Sequence, residues 1–201
     1  MKRTFFNNCV FCVSKDVYEP AEDTFLLTEN LKVNADDVVL DMGTGCGILG
    51  ILAAKRAKQV TAIDFSPHAV RYAKLNAKAN KVENKMDVRL GDLFQPVKQD
   101  EFFTLILFNA PYLPLSPSEE KTWIGRAWAG GSKGRELIDR FIADVSRHLS
   151  ENGRILLVQS SLSDVEETLN RFREIGLEAK ILSEKRFLFE TIILIEARRK
   201  D

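Results

Sequence analysis

The sequence predicts an α/β domain: a mostly parallel, seven-stranded sheet with helices on both faces and one reversed strand near its edge. Three observations predict it. Strand-like and helix-like segments alternate from residue 37 onward, the pattern of strands joined by crossover helices. A glycine-rich turn, Asp41-Met42-Gly43-Thr44-Gly45-Cys46-Gly47, joins the first of these strands to its helix. The last two strand-like segments lie too close together for a parallel crossover and must form an antiparallel hairpin.

The elements follow in order. Residues 1–36 form a lead-in, with a short strand or loop over Asn7 to Val17 and a helix from about Ala21 to Leu31. Val38-Val39-Leu40-Asp41-Met42 is a short buried strand, and Cys46 to Arg56 reads as its helix. Gln59 to Asp64 is the second strand of the alternation. Ser66-Pro67 supplies an N-cap and a first-turn proline for a helix running to about Ala79. Met86 to Leu90 is the third strand and Phe103 to Phe108 the fourth, the latter apolar on both faces as central parallel strands are. A loop rich in Pro, Trp and Gly covers roughly 110–134. Leu137, Ile138, Phe141, Ile142, Val145 and Leu149 recur at helical spacing, and Asn152-Gly153 ends that helix before the strand Ile155 to Val158. Ser163 and Glu166 have the spacing of a capping box. Leu177 to Leu182 and Phe187 to Glu196 are the closing hairpin, connected by Ser183 to Arg186. The whole chain, 1–201, reads as one domain.

Bulk properties exclude several classes. Basic and acidic side chains balance at 29 each, so nothing steers the molecule toward a polyanion; the tail Ala197-Arg198-Arg199-Lys200 reads as a solvated terminus. No apolar run reaches membrane-helix length, and Met1 to Phe6 lacks a following apolar segment for a signal peptide. The expected location is the cytoplasm. Cys9 and Cys12 form a CxxC with no second pair and no nearby His, and no metal site is assigned.

Glycines at a strand-to-helix turn let backbone approach a ligand closely, and the helix start offers free N–H groups. The dinucleotide fingerprint wants glycine where this chain has Ile48; its glycines stand at 43, 45 and 47. Asp41, just before the turn, suits a cationic amino-acid head group and would repel a pyrophosphate. Both points favour S-adenosyl-L-methionine over a dinucleotide, with Gly43 and Gly45 as points of close approach. Asp64 ends the next strand, 21 residues beyond Gly43, where a carboxylate grips two ribose hydroxyls. Asp92 follows the third strand and suits the adenine amino group, with Leu93 or Phe94 against the ring. Three acids thus sit at the carboxyl ends of adjacent strands, where open α/β sheets bind ligands.

The fourth strand ends in Asn109-Ala110-Pro111-Tyr112. A primary amide there suits a planar NH2 acceptor. The Asn109 side-chain oxygen takes one N–H, the carbonyl of Ala110 takes the other, and the nitrogen lone pair is aimed at a sulfonium methyl. Tyr112 lies against the flat acceptor group and keeps water out.

These four residues resemble the Asn-Pro-Pro-Tyr motif of amino-group methyltransferases. Val17-Tyr18-Glu19-Pro20-Ala21-Glu22-Asp23-Thr24 resembles the N-terminal motif of the HemK family, and Ala127-Trp128-Ala129-Gly130-Gly131-Ser132-Lys133-Gly134-Arg135-Glu136 its later loop. With Asp41 to Gly47, the resemblance runs from about residue 17 to the C-terminus in motif order. It implies a Rossmann-like class I S-adenosylmethionine methyltransferase acting on N5 of the glutamine in the Gly-Gly-Gln motif of peptide-chain release factors. It also implies that Thr24, Asp41, Gly43, Asp64, Asp92 and Asn109 contact cofactor or acceptor. The short N-terminus resembles the eukaryotic and archaeal branch, for which a small zinc-binding activator protein is the expected partner; the extra helical domain of bacterial members finds no room here. Ala110 stands where the family has its first proline. Its role is mainly its carbonyl, which alanine keeps, and Pro111 still favours an extended residue 110. The expected cost is about 0.4–1 kcal/mol of chain entropy.

Two other readings compete: N6-adenine or N4-cytosine methylation of nucleic acid, and a noncatalytic S-adenosylmethionine-binding scaffold. Neutral charge weighs against the first, the retained Asn109 and acids against the second. Trp123 and Trp128 either line the substrate groove or pack in the core. Arg126, Lys133 and Arg135 read either as solvated surface cations or as contacts to peptide carbonyls. His68 and His148, on helices, receive no catalytic role, and Cys46 reads as a small packing residue.

Overall fold

The computed structural model describes residues 2–114, 123–126, 128 and 130–199. An N-terminal hairpin (β1, Lys2–Phe6; β2, Cys9–Val13) precedes α1 (Glu22–Asn30). The alternation then runs β3 (Val38–Met42), α2 (Ile48–Ala54), β4 (Gln59–Asp64), α3 (Pro67–Ala79), β5 (Met86–Leu90) and β6 (Phe103–Asn109). A short α4 (Trp123–Arg126) and α5 (Glu136–Val145) lead to β7 (Leu149–Ser160), α6 (Val165–Glu174), β8 (Leu177–Arg186) and β9 (Thr191–Arg199).

The strand order is β5-β4-β3-β6-β7-β9-β8. Neighbours from β5 to β7 pair in parallel, while β9 runs antiparallel to both β7 and β8. This is the expected class I Rossmann-like sheet with one reversed strand beside the edge. Period-two alternation explains how apolar runs serve two cores at once. Val39, Leu105, Leu107, Leu156 and Val158 pack on α1 and α2. Leu40, Ile106, Phe108, Ile155 and Leu157 pack on Ile138, Phe141 and Ile142 of α5 and on Leu169 and Phe172 of α6.

Several expectations shift. The lead-in forms a complete hairpin, with Phe6 opposite Cys9 and the two-residue turn Asn7-Asn8 at φ 46° and 60°. Asparagines tolerate that left-handed turn, and an Asn-Asn pair between apolar runs is its signal. Leu149 belongs to β7, opposite Phe103, and α5 ends at Val145; the register slips across Asn152-Gly153, which lies within the strand. His148 therefore sits between α5 and β7, its Nδ1 3.0 Å from the Glu101 carbonyl oxygen. There is no capping box: Asp164 caps α6 by accepting from Glu167 N–H, while the Ser163 hydroxyl donates to the Tyr112 carbonyl at 2.7 Å. The last turn falls over 187–190, because Ser183 to Arg186 continue β8, whose charged outer residues suit an edge strand.

Candidate active site

The carboxyl ends of β3, β4, β5 and β6 open onto one cavity of about 390 Å³, within the size range of small-molecule sites. Thr24, Gly43, Gly45, Asp64, Asp92, Leu93, Asn109, Ala110, Pro111 and Tyr112 all line it. Asp41, Phe94, Lys133 and Arg135 do not.

Asp41 lies fully buried beneath the glycine turn. Its Oδ2 accepts from the Thr44 hydroxyl at 2.5 Å and from Gly50 N–H at 2.8 Å. A side chain at Gly50 would come within 2.9 Å of that oxygen, which explains the glycine there. The carboxylate shapes the turn from behind and does not stand on the cavity wall. Gly43, Gly45 and Gly47 take φ of 64°, 56° and 88°, a region that favours glycine. At Gly47 a Cβ would also meet Ala73 Cα at 3.1 Å, so the start of α2 packs tightly on α3.

Asp64 reaches the cavity between turn and helix. Its Oδ2 accepts from Gly45 N–H at 2.8 Å and its Oδ1 from Ser66 N–H at 2.9 Å, with the Phe65 N–H also close to the carboxylate. Asp92 is half-buried and accepts from Arg140 at 2.6 Å. Leu93, at φ 47°, faces the cavity. Phe94 turns away, stacking on Phe141 and His148 at ring separations of 5.5 and 5.2 Å, so of the two candidates for the ring only Leu93 is in place.

Burial pushes the Asp41 carboxyl up to about 7, against the pull of Thr44 and Gly50, with the Asp64 charge adding to the rise. Burial likewise pushes Asp64 up to about 6, against its backbone donors. Both groups hold their protons more tightly folded than unfolded, where an aspartate titrates near ~3.9. Protonation therefore favours the fold; this contribution is complete below about pH 4 and lost as pH rises through 6 and then 7. Urea denaturation of the unliganded protein is expected to show stability falling between about pH 4 and pH 7 and levelling off above, and Asp41→Asn to flatten that slope. An unaltered slope in the variant would mean that Asp41 titrates normally.

At the far end of the cavity, the Asn109 Nδ2 donates to Thr24 Oγ1 at 3.2 Å. The Thr24 hydroxyl donates to Asp23 Oδ1 at 3.1 Å, and the Thr24 N–H to the same oxygen at 2.5 Å. The Tyr18 hydroxyl donates to the Asp23 carboxylate at 2.8 Å, as does that of Tyr112 at 3.1 Å. Burial, reinforced by the Asp23 charge, holds both phenols well above their ordinary range. The Asn109 Oδ1 is buried and has no partner among the described residues.

Trp123 and Trp128 both line the cavity. Trp128 meets Tyr18 edge-on at 6.3 Å, and Trp123 packs against Phe65 and His68 at 5.8 and 5.7 Å. Arg135 is buried, donating to the carbonyls of Ser163 and Asp164 and to Asp139, so it is committed to the α5–α6 junction and not to a peptide. Lys133 is exposed. Ala127, Ala129, Lys200 and the Arg126 side chain lie outside the described residues. Cys9, Cys12 and Cys46 are buried free thiols, and no cluster of metal-ligating side chains occurs among the described residues. Nor is any described helix long and apolar enough to cross a membrane.

Asp23 and Tyr18 are the site residues that sequence reasoning passed over. Both stand in the Val17 to Thr24 motif, but an acid in the first turn of a helix ordinarily reads as a partner for the helix dipole.

Residues 7–123 match the methyltransferase small domain family. A Methanocaldococcus jannaschii protein with the provisional name protein N5-glutamine methyltransferase is 39% identical, over 92% of each chain. Human methyltransferase HEMK2 is 33% identical, over 90% of this chain and 89% of its own. The chain belongs to the HemK family of methyltransferases. As a HemK-family enzyme it uses S-adenosylmethionine. Among solved structures, the E. cuniculi Mtq2–Trm112 complex, responsible for methylation of the eRF1 translation termination factor, aligns with a TM-score of 0.67 at 28% identity. It covers 92% of this HemK-family chain and 99% of the other. The M. jannaschii tRNA m1G37 methyltransferase, at TM-score 0.71 and 23% identity, shares the fold alone.

Proposed function

We propose that this enzyme methylates the side-chain amide nitrogen of a glutamine, the one in the Gly-Gly-Gln motif of a peptide-chain release factor. The observation that carries the reading is Asn109. Its NH2 group is committed to Thr24, and its oxygen is buried without a partner among the described residues. An unpaired buried oxygen is costly, and an incoming N–H satisfies it. The substrates in the relatives' names, a protein glutamine and a termination factor, agree with it.

The residues present fit the cofactor. The Asp64 carboxylate faces the cavity for the ribose hydroxyls, Gly43 and Gly45 let backbone pass close, and Asp92 Oδ1 remains for the adenine amino group beside Leu93. Thr24 closes the methionine end. Asp41 acts on the cofactor through the turn that it shapes. The bound cofactor supplies a methyl group on a sulfonium. Asn109 Oδ1 and the Ala110 carbonyl hold the two amide protons of glutamine, fixing nitrogen for in-line attack. That methyl group would pass to the nitrogen held by Asn109 and Ala110, which would give up one of its two amide protons. Tyr112, Trp123 and Trp128 enclose the flat amide and exclude water.

The same reading takes residues 1–201 as one methyltransferase domain working in the cytoplasm, with a small zinc-binding activator as partner. A labelled-methyl assay tests it. Label is expected on a release factor carrying Gly-Gly-Gln and absent from its Gly-Gly-Ala variant. Label on the Ala variant, or on duplex DNA instead, would overturn the assignment.

A further inference from the structure

We propose that Asp23 is a positioning residue: it sets the direction of the hydrogen-bond chain that makes Asn109 present an oxygen, and not an NH2 group, to the acceptor. The proposal rests on the glutamine reading for its consequence in turnover, but its geometry stands without it.

The Thr24 hydroxyl has one proton. The Asp23 carboxylate is an acceptor only, and four donors converge on it: the Tyr18 and Tyr112 hydroxyls and the Thr24 hydroxyl and N–H. The Thr24 proton is therefore spent on Asp23, and the Thr24 oxygen must accept. The group that Asn109 turns to it is the NH2, at 3.2 Å. The opposite end of the amide, the oxygen, then lies buried with no partner among the described residues. Reversing the chain would let Thr24 donate to Asn109 and would turn the NH2 toward the acceptor. Two NH2 groups facing one another cannot pair.

Asp23 also accepts from Tyr112, three residues past Asn109 on the same loop. Tyr18 and Tyr112 are thus tied to one carboxylate, which couples the lead-in before α1 to the end of β6. Asp23 is buried and lies one side chain removed from the reacting atoms, so its effect passes through Thr24, Asn109 and Tyr112.

The test is Asp23→Asn, which keeps shape but brings its own donor into the chain. It is expected to lower kcat by about 10²-fold while calorimetry shows S-adenosylmethionine binding unchanged. Thr24→Val, which breaks the chain at its next link, is expected to lose rate too, and the double variant to be no worse than the more damaged single one. Independent losses that multiply would overturn the proposal. A second readout needs no acceptor. In the wild-type protein, nuclear Overhauser contacts are expected to join the Asn109 amide protons to the Thr24 side chain; Asp23→Asn is expected to lose them. Retained contacts together with wild-type kcat would overturn the proposal. Should the wild-type enzyme leave release factor unlabelled, the glutamine reading falls, and the Overhauser contacts still decide the role of Asp23. If Asp23→Asn does not fold, the Thr24→Val spectrum decides: displaced Asn109 amide protons support the chain, and an unmoved amide overturns it.

Discussion

Replacing Asn109 with alanine is expected to lower methyl transfer by about 10²–10³-fold, the usual cost of removing one preorganised polar group that faces the reacting atoms. The loss should fall on kcat. With Asn109 gone, only the Ala110 carbonyl remains to hold the acceptor nitrogen, and a rotating amide spends most of its time with the lone pair misdirected. Binding of S-adenosylmethionine, measured by calorimetry, should stay near the wild-type value, because the carboxylate and turn proposed to hold it lie at the other strands. Asn109→Asp separates shape from chemistry. It keeps an oxygen of the right size but loses the NH2 that Thr24 accepts from, and sets a second carboxylate near Asp23. It should therefore lose rate as well. Undiminished turnover in the alanine variant would reject the assigned role outright.

How much of this was legible beforehand differs between elements for physical reasons. The sheet was readable because its central strands are buried on both faces, leaving uninterrupted apolar runs such as Phe103 to Phe108, and because glycine turns and the Ser66-Pro67 cap punctuate them. The carboxyl-end acids were readable because strand ends are fixed by those same runs. Orientation was not. Asp41 points beneath the turn to Thr44 and Gly50 while Asp64 points out to the cavity; Asp64 ends its strand, but Asp41 stands one residue inside its own, and that one-residue offset is the only local sign of the difference. Phe94 and Leu93 are adjacent and apolar; only the pairing of Phe94 with Phe141 and His148 decides which one faces the cavity. Ser163 and Arg135 fail for one common reason. Ser163 looks like a cap and Arg135 like a free surface cation, but each is drawn into a tertiary contact, with Tyr112 and with the start of α6. Asp23 depends on partners 5 and 89 residues away, a separation that no local pattern reports.

Replacing Asp64 with alanine is expected to weaken S-adenosylmethionine binding by at least ~10²-fold, because two hydrogen bonds to an ionised group are lost at about 1.5–3 kcal/mol each. Stability should respond differently. The buried carboxylate is held up to about 6 by burial, so its ionised form opposes the fold near neutral pH, and removing it relieves that cost while freeing Gly45 and Ser66 N–H to water at the cavity rim. A large fall in affinity with a small change in urea midpoint marks a ligand-binding carboxylate; the reverse pattern marks a structural one. The ribose assignment can be isolated further with a cofactor analogue lacking the ribose hydroxyls. In wild-type protein the analogue should bind much more weakly than the cofactor, whereas the alanine variant should scarcely tell them apart, so the two losses do not add. The free enzyme should also bind cofactor more weakly as pH falls through about 6, where Asp64 takes up its proton, and this dependence should vanish in the variant. An unchanged dissociation constant for Asp64→Ala, or full additivity with the analogue, would remove Asp64 from the site and shift the grip on the ribose to the glycine turn alone.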